Sequence, residues 1–206
     1  MTTTSSAVES PLTGWRIGTK TLYTLNLDNK TLFPDNDHIP VDPPEPDERW
    51  VIITEVLSNP RRHPSGQSFI VKDKIGDRFP VIFSTQNPTK DVRPYKTGRL
   101  ICLVNGSQSN FQQNVGYLVR KKSSAYMLPC NLPTLRRLSA RLQAQSDAGE
   151  FGQCCNVCKT RSGLRRCRCR TRYCGTDCQR WDWNNGHSKE CKVIEALIVW
   201  NRTEWF

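Results

Sequence analysis

Hydrophobic residues between positions 50 and 128 follow the pattern of short β-strands. The runs are rich in valine, isoleucine and phenylalanine, and turns containing glycine, proline or asparagine separate them. Strands are predicted at residues 50–57, 68–74, 78–84 and 99–104, and segments 115–120 and 125–128 give one or two more. The turn Ile75-Gly76-Asp77 predicts a hairpin between the second and third strands. The polar segment 87–97 predicts a crossover or a short helix before the fourth.

Five short strands with a non-strand segment before the fourth resemble the element order of the OB-fold, a small Greek-key barrel. The expected fold class is therefore mainly β, an OB-like small barrel accompanied by short helices. Another small β-barrel or a half-sandwich is the alternative, because the element order comes without a diagnostic motif.

The segments around the strands predict two helices, a hairpin and a linker. Leucines on one helical face after Pro133 predict a helix that closes the β domain, and a second helix is predicted at 192–201. Loose alternation over 12–33 predicts a weak hairpin, and the prolines between residues 40 and 46 predict a linker. The predicted units are a disordered tail at 1–10, the hairpin and acidic proline-rich linker at 11–49, a basic OB-like β domain with its C-terminal helix at 50–145, a cysteine-rich module at 154–191, and a helix and tail at 192–206.

No run of apolar residues has the length of a membrane span. The longest runs are Leu100–Val104 and Ala196–Trp200, whereas a transmembrane helix needs about 20 residues. The first ten residues lack the basic and apolar regions of a secretory signal. We therefore expect an intracellular protein with no membrane partner, in the nucleus or the cytoplasm.

Positive charge is concentrated in the predicted β domain. Residues 51–145 hold fifteen Lys/Arg and four Asp/Glu, a net charge of +11 that equals the net charge of the whole chain. A domain this basic is a candidate for binding polyanions, and OB-folds bind single-stranded nucleic acid. Binding of nucleic acid by this domain is therefore one of the two functions that the sequence predicts.

Aromatic residues weaken that interpretation of the charge. OB-folds hold single strands by stacking bases on rings of strands two and three. The rings of Phe69, Phe79 and Phe83 alternate with other positions and are expected to face the core. The opposite face carries the candidate nucleic-acid contacts Lys72, Lys74 and Arg78. The rings that remain for stacking are those of Tyr95, Phe111 and Tyr117.

Eight of the ten cysteines lie between residues 154 and 191. In a chain without a secretory signal such a cluster indicates metal binding rather than a disulfide framework. Seven cysteines and one histidine stand at ligand spacing, and eight ligands make two closed tetrahedral zinc sites of the structural kind. The candidate metal ligands are Cys155, Cys158, Cys167, Cys169, Cys174, Cys178, His187 and Cys191. Cys154 is an alternative first ligand, but only Cys155 has the two-residue spacing to Cys158.

The same window resembles the MYND-type zinc finger. The resemblance rests on the initial Cys-x2-Cys pair, the stretch RYCGTDCQ at 172–179, the following Trp181-Asp182-Trp183, and the final His187-x3-Cys191. It implies two zinc ions held by interleaved ligand sets. The implied first set is Cys155, Cys158, Cys174 and Cys178, and the implied second set is Cys167, Cys169, His187 and Cys191.

Two spacings depart from the family pattern. Arg168 alone separates Cys167 from Cys169, where the family has two residues. This shorter pair is not expected to form the usual turn that aims backbone N–H groups at sulfur, so the second site is the one that the spacing puts in question. The gap before His187 is one residue longer than usual, and we expect 184–186 to absorb the extra residue.

The resemblance also implies a function, because MYND fingers are protein-interaction modules that bind short proline-containing peptides. The implied peptide contacts are Gln179 and Trp183, with Tyr173 as a weaker candidate. Trp181 is expected to close the small domain instead. The predicted function is therefore a zinc-binding adaptor that recruits a protein partner, with single-stranded nucleic-acid binding as the alternative. No catalytic motif stands in the sequence, and we expect no enzymatic activity.

The β domain carries a second, less specific resemblance. Residues 71–83 and 127–138 are similar to the β-rich region that precedes the zinc finger in uncharacterised proteins of mushroom-forming fungi. This resemblance implies that the β domain and the finger form a recurring pair.

Overall fold

The computed structural model describes residues 14–17, 20–23, 26–39, 50–105, 108–111 and 114–200. The predicted disordered tail at 1–10, most of the predicted linker and the predicted tail after residue 200 lie outside the described residues.

The described residues form twelve strands and four α-helices. The strands are β1 (Gly14–Ile17), β2 (Lys20–Tyr23), β3 (Val51–Val56), β4 (Arg61–His63), β5 (Gly66–Lys72), β6 (Arg78–Phe83), β7 (Leu100–Val104), β8 (Gln108–Phe111), β9 (Asn114–Val119), β10 (Ala125–Leu128), β11 (Arg165–Arg166) and β12 (Arg172–Tyr173). The helices are α1 (Pro88–Asp91), α2 (Leu132–Asp147), α3 (Thr176–Asp182) and α4 (Ser188–Trp200). All the predicted strands are present, and β4 and β8 occupy segments that were predicted as loops.

One mixed sheet organises the N-terminal region. Its strand order is β10-β7-β3-β5-β6-β9-β8, with β4 paired to β5 outside this path. Strands β6 and β9 run parallel, and the other pairs in this sheet are antiparallel. Within the described strands, the edges β10 and β8 do not pair with each other, so the sheet does not close. The predicted OB-like closed barrel is thus not confirmed, whereas the mainly β character is.

The first face of the sheet encloses an aromatic core. Phe69, Phe79 and Phe83 are at most 4% exposed, as the alternation in β5 and β6 predicts. Tyr95 joins them, with its ring centroid 5.2 Å from that of Phe83. Tyr117 is fully buried against Phe79, at 4.9 Å.

The opposite face of the central strands is covered by helices, which is why β3 reads as a continuous apolar run. Val51 and Ile52 point to opposite faces and both are fully buried. Helix α2 begins at the cap Asn131, whose Oδ1 accepts the Thr134 N–H at 3.0 Å. The hydrophobic cluster on this face combines strand, α2, finger and α4 residues, including Leu100, Leu128, Leu135, Leu138, Leu142, Tyr173, Val193, Leu197 and Trp200.

Helix α4 joins the cysteine-rich region to the sheet. The Tyr126 hydroxyl on β10 donates to the Ala196 carbonyl at 3.0 Å, and its ring packs edge-on against Trp200 at 5.4 Å. On the α2 side, Arg141 forms an ion pair of 2.6 Å with Glu190, whose side chain is 10% exposed. The sheet and the cysteine-rich region therefore share one core.

Residues 26–39 correct part of the predicted hairpin and linker at 11–49, because this segment packs on the sheet. The Asp73 carboxylate caps the β5–β6 turn and accepts the Asn36 N–H at 2.8 Å. The Lys74 ammonium donates to the carbonyls of Leu27 and Phe33. These contacts dock the segment on the sheet, and they come from positions that are distant in sequence.

The helices in the described part of the chain are all too short or too polar to span a bilayer.

Candidate metal centre

Two clusters of potential ligand atoms lie in the C-terminal region. The first combines Cys155, Cys158, Cys174 and Cys178, and the second combines Cys167, Cys169, His187 and Cys191. Within each cluster all ligand atoms lie within 4.8 Å of one another. This is the interleaved grouping that the resemblance implied, and each set spans two distant parts of the window.

The distances inside both clusters fit tetrahedral zinc. With Zn–S near 2.3 Å and Zn–N near 2.05 Å, a tetrahedral ion separates two sulfurs by about 3.8 Å and a sulfur from a nitrogen by about 3.5 Å. In the first cluster Cys174 Sγ lies 3.5 Å from Cys158 Sγ and 3.6 Å from Cys178 Sγ. In the second, His187 Nε2 lies 3.4 Å from Cys169 Sγ and 3.6 Å from Cys167 Sγ. Each cluster can therefore hold one zinc ion with protein ligands alone.

The first cluster is prepared for metal by backbone N–H groups. Burial raises the pKa of the Cys155 thiol, but the backbone groups of Cys158, Cys174 and Val157 donate to its sulfur and lower the pKa to about 6. These donors favour the thiolate form of Cys155, which is the form that binds zinc.

The second cluster corrects the expectation about the Cys167-x-Cys169 pair. Burial raises the pKa of Cys169, and the hydroxyl and backbone N–H of Thr171 donate to its sulfur and oppose that shift. Arg170 adopts a φ of 69°, and its N–H donates to the Cys167 carbonyl at 2.8 Å. The left-handed residue closes a turn that brings the donors of Thr171 to the sulfur, so the short spacing is compatible with a complete site. Thr171 is neither a cysteine nor a histidine, so the spacing of ligand residues could not predict its role as a donor to the Cys169 sulfur.

His187 presents Nε2 to the three sulfurs of the second cluster, while its Nδ1 faces Asp182 Oδ2 at 3.8 Å. Burial lowers the pKa of His187, which keeps the ring in the neutral form that a metal requires. The same Asp182 oxygen accepts the Tyr173 hydroxyl at 2.6 Å and the Asn156 amide at 2.8 Å. Neither Asp182 nor Asn156 was a predicted site residue.

The extra residue before His187 is absorbed where it was expected. Residues Trp183–His187 form a π-type turn between α3 and α4, with Gly186 at φ 124°. A side chain rarely adopts this φ, so glycine is required by conformation rather than by space, and nothing lies within 4 Å of a Cβ there.

The predicted peptide contacts divide into two groups. Gln179 is exposed and Trp183 is 45% exposed, four residues apart on consecutive helical turns. The Trp183 ring packs edge-on against His187 at 6.1 Å, which fixes it to the second cluster. Tyr173, in contrast, is 1% exposed and donates to Asp182. It stabilises the inside of the finger and offers no surface to a peptide.

Trp181 corrects the opposite expectation. It is 58% exposed, the largest exposed fraction among the large hydrophobic residues of the described chain, and so does not close the domain. Helix α3 and the turn that follows it therefore each present a tryptophan ring to solvent. The sequence alone could not predict which of the two rings is more exposed. Both flank the buried Asp182, and their exposure depends on how the helix is rotated against the rest of the finger.

The predicted nucleic-acid contacts lie in different environments. Lys74 is held by two backbone carbonyls, and burial lowers its pKa. Lys72 forms an ion pair of 3.6 Å with Glu55. Arg78 is exposed, with no ion pair to another described residue. Of the rings considered for stacking, Tyr95 and Tyr117 are buried, and the side chain of Phe111 lies outside the described residues.

The geometry defines a two-site Cys/His zinc finger packed against a β-sheet. A comparison with protein families places the finger: residues 155–191 match the family model of the MYND finger. The chain thus contains a MYND finger, a zinc-binding protein-interaction module, with two Cys/His clusters able to hold its metal ions. No curated protein matched the chain. The similarity of the β domain to fungal proteins therefore stays a prediction.

Proposed function

We propose that this protein is an adaptor whose finger recruits a protein partner through the surface formed by Gln179 and Trp183. The observation that carries the proposal is that exposed Gln179 and the 45% exposed Trp183 ring lie one helical turn apart, between ligands of the two metal clusters. Exposed tryptophans on a fixed element are typical anchors of protein interfaces.

The chemistry of this surface suits a short extended peptide that contains proline. The flat Trp183 ring can pack against a pyrrolidine or leucine side chain, and the Gln179 amide can pair with the backbone of an extended peptide. Because His187 supports the Trp183 ring, the surface is organised before the partner arrives, which lowers the entropic cost of binding.

The role proposed for zinc is structural, and we propose no enzymatic activity. Each cluster contains four protein ligands, the number that completes a tetrahedral ion and leaves no position for substrate. The thiolates need a reducing environment, which supports an intracellular location.

Peptide binding tests the proposal directly. The probe is a fluorescent decapeptide containing Pro-x-Leu-x-Pro, compared with the same peptide in which alanine replaces both prolines. Trp183→Ala and Gln179→Ala in the full chain should each weaken binding at least tenfold. Val199→Ala is the matched control, because Val199 is a 47% exposed hydrophobic residue on α4. Equal binding by all variants, with zinc content unchanged, would reject this surface as the binding site.

Single-stranded nucleic-acid binding by the β domain is the second candidate. The net charge of +11 in residues 51–145 supports it. The strand order β7-β3-β5-β6-β9 also supports it: three consecutive antiparallel strands, β3, β5 and β6, are flanked by β7 beside β3 and by β9 beside β6. We propose that this is an OB-like Greek key with an open seam.

A salt series on the full chain separates this function from general attraction. Neutralised phosphates make the logarithm of affinity fall linearly with the logarithm of salt concentration. Micromolar binding of an oligo(dT) at near-physiological salt, weakened by Arg78→Glu, would support it. Binding that disappears by about 150 mM salt indicates only the contact of a basic surface with a polyanion.

A further inference from the structure

We infer that Asp182 is a positioning residue shared by both zinc sites, so that each site depends on the other through one buried carboxylate. Its backbone belongs to α3, between the last ligand of the first cluster and the histidine of the second. The residue is 9% exposed, and a carboxylate so buried requires partners. All the partners that the structure gives it come from segments that carry zinc ligands.

Two hydrogen bonds tie Asp182 to the first cluster. Asn156 follows the ligand Cys155 and donates its amide to Asp182 Oδ2 at 2.8 Å. Tyr173 precedes the ligand Cys174 and donates its hydroxyl to the same oxygen at 2.6 Å. The two bonds hold together the two separate segments that supply the first site.

The third contact reaches the second cluster. His187 directs Nε2 toward the sulfurs of Cys167 and Cys169, so its Nδ1 is the nitrogen left to face Asp182 at 3.8 Å. Histidines that bind zinc are oriented by a carboxylate or carbonyl at the other ring nitrogen. The Tyr173 ring also packs edge-on against His187 at 5.9 Å, which couples the hydroxyl donor to the same histidine.

The link extends to the β domain. Gln145 on α2 donates its amide to Asn156 Oδ1 at 3.0 Å, and the Asn156 N–H donates to the Arg172 carbonyl at 2.9 Å. Asn156 therefore uses its side-chain acceptor on α2 and its side-chain donor on Asp182. A shift of the carboxylate would be felt at both metal sites and at the helix that covers the sheet.

The test replaces Asp182 by asparagine in the full, metal-loaded chain. Asparagine keeps the shape and one acceptor oxygen, but it removes the negative charge that faces His187 and replaces the second oxygen by an NH2 group that cannot accept. Mutations of such supporting residues lower metal affinity 10- to 100-fold in other sites, and we expect a loss of that size at both sites here. Asp177→Asn is the matched control, with the same change of charge at an exposed position of the same helix.

The measurement follows each site separately. The chain is loaded with Co²⁺, whose visible bands differ between a four-sulfur site and a three-sulfur, one-nitrogen site, and competition with a chelator gives the affinity of each. Weakening of both sites by Asp182→Asn, but by neither in Asp177→Asn, supports the inference. Weakening of the histidine site alone overturns the shared role, and unchanged affinities at both sites overturn the inference altogether.

A second variant covers the case in which Asp182→Asn does not fold. Tyr173→Phe keeps the packed ring and removes one hydrogen bond to the carboxylate. We expect it to weaken both sites by a smaller factor and to shift the Co²⁺ bands of the histidine site, although Tyr173 is not a ligand. A folded Tyr173→Phe chain with unchanged bands and affinities also overturns the inference.

Discussion

Replacing Leu138 by alanine tests whether the sheet and the finger form one cooperative unit. Leu138 lies on α2 and is fully buried in the cluster that also contains Leu100 of the sheet and Leu197 of α4. Removal of its side chain leaves a cavity between the two regions, so both should lose stability together.

The magnitude follows from burial. Three lost carbons cost about 2.4 kcal/mol at roughly 0.8 kcal/mol each. The cavity that remains raises the loss to about 3–4 kcal/mol, within the range of buried Leu→Ala changes. For a chain of this length each kcal/mol lowers the melting temperature by about 2–4 °C, so we expect a decrease of roughly 6–16 °C.

The assay combines two probes on one zinc-loaded sample in urea. Far-ultraviolet circular dichroism reports the sheet, and a chromogenic chelator reports zinc release. Both midpoints should move together in Leu138→Ala, whereas Ala144→Gln, an exposed position of the same helix, should move neither. A decrease in the sheet midpoint with zinc release unchanged would refute the shared core.

Three further predictions concern the turn before His187, the alkaline limit of stability and the buried thiols. Gly186→Ala should lower the free energy of unfolding by about 1–3 kcal/mol and weaken zinc retention at the histidine site, because a φ of 124° strains any residue with a side chain. Gly163→Ala, at φ 63°, should lower the free energy of unfolding by less in the same urea titration. Burial raises the pKa of Tyr126 to about 12, so its neutral form stabilises the fold below pH 10 and that contribution is lost as the pH rises toward 12. Unfolding free energies measured between pH 8 and 12 should therefore fall less steeply in Tyr126→Phe, and an identical slope would contradict this. Burial also raises the pKa of Cys130 to about 12, so iodoacetamide at pH 8 should leave this thiol unmodified in the folded chain, while chelation of zinc should expose the ligand cysteines; mass spectrometry identifies the modified residues.

Local features of this protein could be predicted from sequence because they depend on neighbours in the chain. The alternation in β5 and β6 predicted that Phe69, Phe79 and Phe83 face the core. The Cys and His spacing predicted eight ligands, enough for two zinc sites, and the resemblance to the MYND finger implied how they divide into two sets. Strand β4 was missed although it pairs with the adjacent β5, because Arg61–His63 has no apolar alternation; the docked segment 26–39 was missed because its partner Asp73 is distant in sequence.

The exposure of side chains could not be read in the same way. Tyr173 and Trp181 both have the character of interface residues, yet one is buried on Asp182 and the other is 58% exposed. Lys74 has the character of a surface cation, yet two backbone carbonyls hold it. In each case the partner lies in another segment, so the outcome depends on how the segments pack.

The sequence by itself determined the mainly β domain, the positive charge of that domain, and the identity and number of the zinc ligands. These follow from residue type and short-range spacing. The tertiary structure alone decided that the sheet stays open, that Thr171 supplies the donors missing from the short Cys167–Cys169 spacing, and that Asp182 lies between the two zinc sites. It also decided that α2 and α4 join the finger to the sheet. The physical reason is that hydrogen bonds and buried contacts between distant segments form only when the whole chain has packed.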